Sequence, residues 1–258
     1  MKKWLRLKDI QKVTYSVLFL LLFLVIWEVL TRLKEIEPWL LPSPLGIALA
    51  LRESLPLLLF HARFTILAAL TGFLAATLAA VLLALLMDLS PVVKHGLYPL
   101  LIISQTVPII FLAPLFFIWF GYGLLPKMAV AFLVCFFPIV IALADGLGSA
   151  DPEMTALLRV MGATPWKILW KVRWPMGLPG FFSGLKVAAA YSIMGAVIGE
   201  WIGAGQGLGV FMIRSTKSFM TGNVFAAIIV VAVLSMAVFL AVEAAARLFM
   251  PWRHKKNN

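Results

Sequence analysis

The amino-acid sequence predicts an all-helical membrane protein with about six transmembrane helices. Of its 258 residues, 63% are hydrophobic and only 13% are charged. Several apolar segments also reach the roughly 20 residues that a helix needs to cross a bilayer core about 30 Å thick. An ordinary soluble domain carries about twice this charged fraction. Water is therefore not the main solvent of this chain.

Six segments are long and apolar enough to be candidates for a crossing. They are residues 13–31, 64–87, a stretch between 94 and 127, 128–145, 176–199 and 218–242. The third is broken by Pro99, Pro108 and Pro114 and by the turn Gly121-Tyr122-Gly123, so we expect a kinked helix there. The proline-rich segment 33–60 is expected to lie along the outer membrane surface with one short amphipathic helix.

The charges predict the orientation of the chain. Most of the 22 Lys and Arg residues fall on the side of the N-terminus if the chain crosses six times. Because positive residues are retained in the cytoplasm, we expect both termini there. The nine tryptophans then fall near the two membrane boundaries, where indole rings are favoured. The first crossing lacks a small-residue cleavage site after it and is expected to remain as an anchor.

Several function classes are disfavoured by composition and spacing. The single cysteine, Cys135, cannot build a disulfide or a thiolate metal cluster, and the cations form no dense basic stripe for nucleic acid. The three histidines are scattered and no H-E-x-x-H or G-x-S-x-G pattern occurs, so we expect no enzyme, no catalytic residue and no metal site. Without any Gly-Lys pair, the chain also lacks a phosphate-binding loop for ATP.

The segment between Asp145 and Pro175 predicts two short helices. Asp151-Pro152-Glu153 supplies an N-cap, a first-turn proline and an acid, and Gly162 stands where a left-handed C-cap is wanted. Thr164-Pro165 begins the second helix, and Trp174-Pro175 is expected to end it. Apolar residues at helical spacing in the first helix, Met154, Leu157, Leu158 and Met161, either pack on the chain's own transmembrane helices or bind a partner. Periodicity leaves both readings open.

The same segment carries a spaced pattern: Ala156-Leu157-Leu158, three residues, Gly162, nine residues, Val172, one residue, and Trp174-Pro175. This pattern resembles the EAA signature loop of the membrane subunit of binding-protein-dependent ABC importers. Ala156 replaces the glutamate usual in that family, and Trp174 replaces its leucine. If the family's glutamate contacts the ATPase, Glu153 or Arg159 is the alternative source of that contact.

The resemblance extends over most of the chain. Segments similar to the sulfonate, taurine, nitrate and thiamine-precursor branch of these importers are Leu41-Pro42-Ser43-Pro44, residues 108–121, Gly199-Glu200-Trp201 and Gly207-Leu208-Gly209. Within that branch the chain resembles permeases for hydroxymethylpyrimidine-type thiamine precursors. The same machinery for alkanesulfonate, taurine, nitrate or riboflavin is the alternative. An ion-coupled secondary carrier is a further alternative, and Glu200 is the one residue that favours it.

This resemblance implies a type I ABC importer permease fold, with residues 1–258 as a single transmembrane permease domain and a cytoplasmic coupling loop at about 146–175. It also implies a homodimer in the bilayer of a bacterial plasma membrane. The expected partners are ABC ATPase subunits, which bind ATP and Mg, and an extracytoplasmic solute-binding protein. This chain itself is expected to hold no cofactor.

Two sets of residues are the candidates for function. The ATPase-coupling set is Glu153, Ala156, Leu157, Leu158, Arg159, Met161, Gly162, Ala163 and Pro175. The translocation-path set consists of polar residues at membrane depth, which are costly unless they pair or face water: Ser104, Gln105, Thr106, Tyr191, Ser192 and Glu200. Ordinary hydrogen bonding between helices is the alternative for any single Ser or Thr. The glycine-rich segment 199–209 is interpreted as a flexible turn at the outer mouth.

Overall fold

A computed structural model describes the backbone of residues 2–202 and 205–251, with side chains described from residue 14 onward. The helices are α1 Lys2–Leu33, α2 Pro44–Leu89, α3 Pro91–Ser104, α4 Ile109–Phe120, α5 Leu124–Gly148, α6 Pro152–Val160, α7 Pro165–Ile168, α8 Trp174–Glu200, α9 Leu208–Lys217 and α10 Thr221–Phe249. A π turn, Leu169–Arg173, joins α7 to α8. Every regular element in the described ranges is helical, which confirms the all-α prediction. The terminal cations and tryptophans used for orientation, and residues 203–204, lie outside the described residues.

The number of possible membrane spans agrees with the prediction. Five helical stretches are long and apolar enough to cross: Thr14–Leu33, Pro44–Leu89, Leu124–Gly148, Pro165–Glu200 and Thr221–Phe249. A sixth span arises if the bent pair α3 and α4 is counted as one. The prediction of about six crossings is therefore confirmed.

The third predicted crossing is broken rather than gently kinked. Helices α3 and α4 meet at an angle of 100° across residues 105–108. Pro108 has no amide hydrogen and disfavours helical geometry at the residue before it, so α3 cannot continue through this point. After α4, Gly121 and Gly123 adopt φ angles of 71° and 140°, which confirms the turn expected there.

The expectation of a separate short helix within 33–60 is wrong. Residues from Pro44 onward belong to α2, a single helix of 46 residues that continues through Pro56 to Leu89. At 1.5 Å per residue, α2 is about 69 Å long, more than twice the hydrocarbon thickness. An interior proline removes one amide donor and can be absorbed as a local bend. Pro56 therefore did not end the helix.

The chain divides into two compact units. The first comprises Met1–Leu58 and Phe211–Ile229. Within it the Glu28 carboxylate accepts a hydrogen bond from the Leu45 amide at 3.0 Å, and the Trp39 and Phe219 rings meet edge to face. These contacts link the end of α1 and the start of α2 with the segment that precedes α10.

The second unit comprises Leu59–Val210 and Val230–Asn258, and it contains both sets of candidate functional residues. Its core is formed by α5 and α8, with fully buried Ile139, Leu143 and Ile193. A Cβ atom at Gly184 of α8 would overlap the carbonyl oxygen of Pro138 on α5. Small residues of this kind let two membrane helices approach until their backbones touch.

Candidate functional site

The local structure of α6 is the one that the sequence predicts. The Asp151 side chain accepts a hydrogen bond from the Glu153 amide at 2.9 Å, and Pro152 occupies the first turn. At the other end, Gly162 adopts φ +80° and the Ala163 amide donates to the Leu158 carbonyl at 2.9 Å. The helix therefore has an acidic N-cap and a left-handed glycine C-cap.

Most of the apolar side chains of α6 are exposed rather than packed on this chain. The exposed fractions are 61% for Leu157, 88% for Val160 and 73% for Met161, and the one buried side chain of the helix is Thr155. This arrangement disfavours packing on the chain's own transmembrane helices, which was one of the two readings. An apolar face without a partner in the chain is typical of an interaction surface.

The other predicted coupling residues surround this face. Glu153, Ala156, Arg159 and Gly162 are exposed, while Leu158, Ala163 and Pro175 are half-buried. The structure therefore brings eight of the nine coupling residues, Glu153 to Ala163, onto or beside one short helix. Pro175 lies apart from them, in the first turn of α8.

The expectation that Trp174-Pro175 ends the second helix is wrong. Helix α7 passes directly into the π turn and then into α8, with the Trp174 amide donating to the Leu169 carbonyl five residues earlier. In a π turn, an amide bonds to the carbonyl five residues earlier instead of four. Pro175 has no amide hydrogen, and this shift lets it enter the helix without removing a hydrogen bond to the fourth residue before it. Residues 165–200 thus form one continuous helical stretch.

Three of the six path candidates line one cleft. Gln105, Thr106 and Tyr191 contribute to a cleft of about 440 Å³ at the break between α3 and α4. Apolar residues of α5 and α8 complete the wall, including Phe137 and Met194. A cavity of this volume, mostly apolar and with a few polar groups, is suited to a small organic molecule.

The remaining path candidates lie elsewhere. Ser104 is exposed and its hydroxyl donates to the Leu101 carbonyl at 3.1 Å. Ser192 is fully buried and donates to the Ala189 carbonyl of its own helix at 2.9 Å. Glu200 is also buried, with 1% exposure. The path role of these residues stays a prediction.

Glu200 belongs to a polar group that we name the carboxyl cluster: Glu200, Thr65, His61 and Lys127, with the turn residues 206–209. The Glu200 carboxyl accepts hydrogen bonds from the Thr65 hydroxyl at 2.9 Å and from the Gly209 amide at 2.8 Å. A Cβ atom at Gly207, whose φ is +131°, would overlap that carboxyl group. The carboxyl of Glu200 therefore packs directly against the turn.

The first amides of α9 and the turn before it are satisfied by the rest of the cluster. The Gly207 amide donates to His61 Nδ1 at 3.0 Å, and the Leu208 amide donates to the Thr65 hydroxyl at 2.9 Å. Lys127 Nζ donates to the Gln206 carbonyl at 2.8 Å. Side chains from α2, α5 and α8 thus hold residues 206–209, a segment interpreted above as a flexible turn.

Sequence reasoning missed three members of this cluster. In the sequence, His61 is one of three scattered histidines, Thr65 belongs to no motif, and Lys127 marks only the end of an apolar stretch. One signal was present: His61 and Thr65 are four residues apart on α2, so they share one face of the helix. Their partners are too distant in sequence to be found from spacing alone.

Comparison with known proteins identifies the family. The profile of the binding-protein-dependent transport system inner membrane component matches residues 76–255. The chain belongs to this family of importer permeases. The match covers the cleft, the carboxyl cluster except for His61 and Thr65, and all of the EAA-like segment.

Three relatives match across most of the chain. The formylaminopyrimidine transport permease protein ThiX of Halalkalibacterium halodurans is 38% identical over 93% of this chain and 96% of its own length. The riboflavin transport system permease protein RibX of Chloroflexus aurantiacus is 31% identical over 90% of this chain and 88% of its own length. The taurine transport system permease protein TauC of Escherichia coli is 30% identical over 94% of this chain and 90% of its own.

These findings confirm the resemblance and its coarse consequences. The chain is the membrane subunit of an ABC importer, with the all-helical fold expected of such a permease. It is a multi-pass membrane protein, and membership of its family implies ATPase and solute-binding partners. Family membership also decides against the ion-coupled carrier.

Proposed function

We propose that this permease transports a pyrimidine precursor of thiamine, of the formylaminopyrimidine or hydroxymethylpyrimidine type. The observation that carries the proposal is the 38% identity to ThiX over nearly the full length of both chains. The relatives named for riboflavin and taurine are 31% and 30% identical. The difference favours the pyrimidine over the other two solutes.

The chemistry of the cleft supports the same choice. Its polar groups are the Gln105 amide, the Thr106 hydroxyl and the Tyr191 phenol, and none of the described residues that line it is charged. A neutral amide and hydroxyl suit a planar heterocycle with ring nitrogens and an amino group, and aromatic rings offer it a stacking surface. A sulfonate anion would favour an Arg or Lys in the wall. We propose this cleft as part of the translocation path.

The exposed face of α6 is the proposed contact with the ATPase. Leu157, Met161 and the C-cap at Gly162 would dock against a partner subunit, and Glu153 and Arg159 would supply the polar contacts in place of the missing glutamate at position 156. A capped helix with its C-terminal turn closed by glycine can move as a rigid body. ATP and Mg would be bound by that partner.

The proposed assembly is a homodimer of this chain with two ATPases on the cytoplasmic side and a solute-binding protein on the other. Residues 146–175 then form the coupling loop, and both termini are cytoplasmic. This orientation rests on the positive-inside distribution of Lys and Arg.

Uptake by the reconstituted transporter tests the substrate. The permease, its ATPase and its binding protein are reconstituted in lipid vesicles, and ATP-dependent accumulation of labelled formylaminopyrimidine, riboflavin and taurine is compared. We expect accumulation of the pyrimidine alone, with tight binding of the same compound by the isolated binding protein. Taurine or riboflavin uptake without pyrimidine uptake would overturn the proposed substrate.

A further inference from the structure

Both ends of the coupling loop are tied to neighbouring helices by polar contacts. On the α5 side, the Tyr98 hydroxyl donates to the Asp145 carboxylate at 2.6 Å. On the α8 side, Arg173 Nη1 donates to the Asp88 carboxylate at 2.9 Å. Asp88 is the penultimate residue of α2, and Arg173 is the last residue of the π turn. Of the two contacts, the second joins a pair of opposite charges.

The ion pair between Asp88 and Arg173 is largely withdrawn from solvent. The Asp88 side chain is 8% exposed and that of Arg173 is 26% exposed. Leu169 and Val172, in the same π turn as Arg173, are buried, and Met87 beside Asp88 is 1% exposed. An ion pair in such surroundings resists separation, because a buried charge left alone is strongly unfavourable.

The connection from α6 to this ion pair is short and stiff. Gly162 and the start of α7 are three residues apart, and α7 continues into the π turn without a break. Trp166, Trp170 and Trp174 form a ladder along this stretch, with ring centroids 5.5 and 5.3 Å apart. Movement of α7 should therefore carry Arg173 with it.

The π turn itself is an unusual element at this position. Such turns are rare and occur frequently at functional sites, because they place a side chain where a regular helix would not. Here the turn ends at Arg173, the residue that pairs with α2.

We propose that the Asp88–Arg173 ion pair is the link through which movement of the coupling loop reaches α2. Arg173 and Asp88 are then positioning residues that transmit movement without contacting the solute. This inference rests on the proposed role of α6 as the ATPase contact. It adds to that role the route by which a cytoplasmic movement is transferred to a transmembrane helix 85 positions earlier in the sequence.

The test measures solute uptake and ATP hydrolysis in the same vesicles, with the complete transporter. Asp88→Asn keeps the shape of the side chain and removes its charge. We expect ATP hydrolysis to keep at least about half of its rate while uptake falls about ten-fold, a loss within the range of typical coupling free energies. Transport per ATP is the decisive quantity, because a merely structural defect lowers both rates together.

Three further variants and a control sharpen the result. Asp88→Glu and Arg173→Lys keep the charges and should restore most of the transport per ATP. Arg173→Gln removes the other charge and supplies the same test if Asp88→Asn does not insert. Arg247→Gln removes an exposed ion pair with Glu243 on α10 and should leave both rates unchanged.

Three outcomes would overturn the inference: unchanged transport per ATP in both neutral variants, an equal fall of uptake and hydrolysis, or no recovery in the charge-keeping variants. A substitution at Gly162 distinguishes failure of the ion-pair proposal from failure of the proposed function. If Gly162→Trp abolishes uptake while Asp88→Asn transports normally, the coupling loop stands and only the ion-pair link is wrong. If Gly162→Trp also transports normally, the proposed role of α6 fails.

Discussion

The carboxyl cluster and the coupling loop, both in the second unit, differ in which groups they bury and which they expose. In the cluster, the polar groups of Glu200, Thr65 and the first turn of α9 are buried and find their hydrogen-bond partners inside the chain. In the coupling loop, most apolar side chains of α6 remain exposed. Buried polar groups must be satisfied within the fold, whereas exposed apolar groups gain from a separate partner. The comparison predicts that damage to the cluster costs stability and that damage to α6 costs assembly.

The largest expected effect is at Gly162. Gly162→Trp should abolish ATP-dependent uptake while the protein still inserts in the membrane, because a side chain at φ +80° strains the C-cap and an indole covers the proposed docking face. Gly162→Asn is the matched control, since asparagine tolerates the left-handed conformation, and it should keep most of the uptake. Vesicle uptake together with the amount of membrane-inserted protein checks both. Normal uptake by the Trp variant would contradict the coupling role.

The next effect breaks the cluster. Glu200→Ala should lower the free energy of unfolding by about 2–6 kcal/mol, because each buried donor that loses its acceptor costs ~1–3 kcal/mol, and Thr65 and Gly209 both lose one. Thermal unfolding of the purified protein in detergent measures the loss. Glu200→Gln keeps an acceptor oxygen and should lose less. An unchanged melting temperature in the Ala variant would show that the cluster adds nothing to stability.

The corresponding change on α6 should spare stability. Leu157→Asp places a charge on a side chain that is already 61% exposed, so the melting temperature of the permease alone should stay within a few degrees of wild type. Loss of a leucine that the ATPase would cover in the complex should weaken ATPase binding by about 10- to 150-fold, equivalent to ~1.5–3 kcal/mol. Co-purification with the ATPase at graded concentrations measures this change. Wild-type affinity would exclude Leu157 from the interface.

The smallest expected effect is in the cleft. Gln105→Leu should reduce pyrimidine uptake about three- to ten-fold, the loss of roughly one hydrogen bond, with ATP hydrolysis and melting temperature little changed. Ser192→Ala is the comparison variant, because Ser192 is also a path candidate but its hydroxyl bonds to the carbonyl of Ala189 rather than lining the cleft. Uptake by the two variants is compared at limiting solute. A larger loss in Ser192→Ala than in Gln105→Leu would place the path elsewhere.

The predictions that succeeded concern features encoded within a few residues. The Asp151 and Thr164 N-caps and the positive φ of Gly162 follow from local hydrogen bonding and sterics, and all three are present in the structure. The break at Pro108 belongs to the same class, although its angle of 100° exceeds the kink expected there. A proline predicts the wrong helix end where the helix continues through it. Pro56 and Pro175 both lie inside helical stretches that the sequence alone would have ended.

Local pattern determined that this chain is a helical membrane protein, where the short helices α6 and α7 begin, and which segment resembles an importer's coupling loop, because hydropathy, caps and short motifs act over a few turns of chain. The tertiary structure alone decided that Glu200 meets a threonine 135 residues away, that Arg173 pairs with Asp88, and that most apolar side chains of α6 stay exposed. These contacts depend on how helices pack. In a bilayer that packing is set by close backbone approach and polar pairing between distant segments, which no local pattern records.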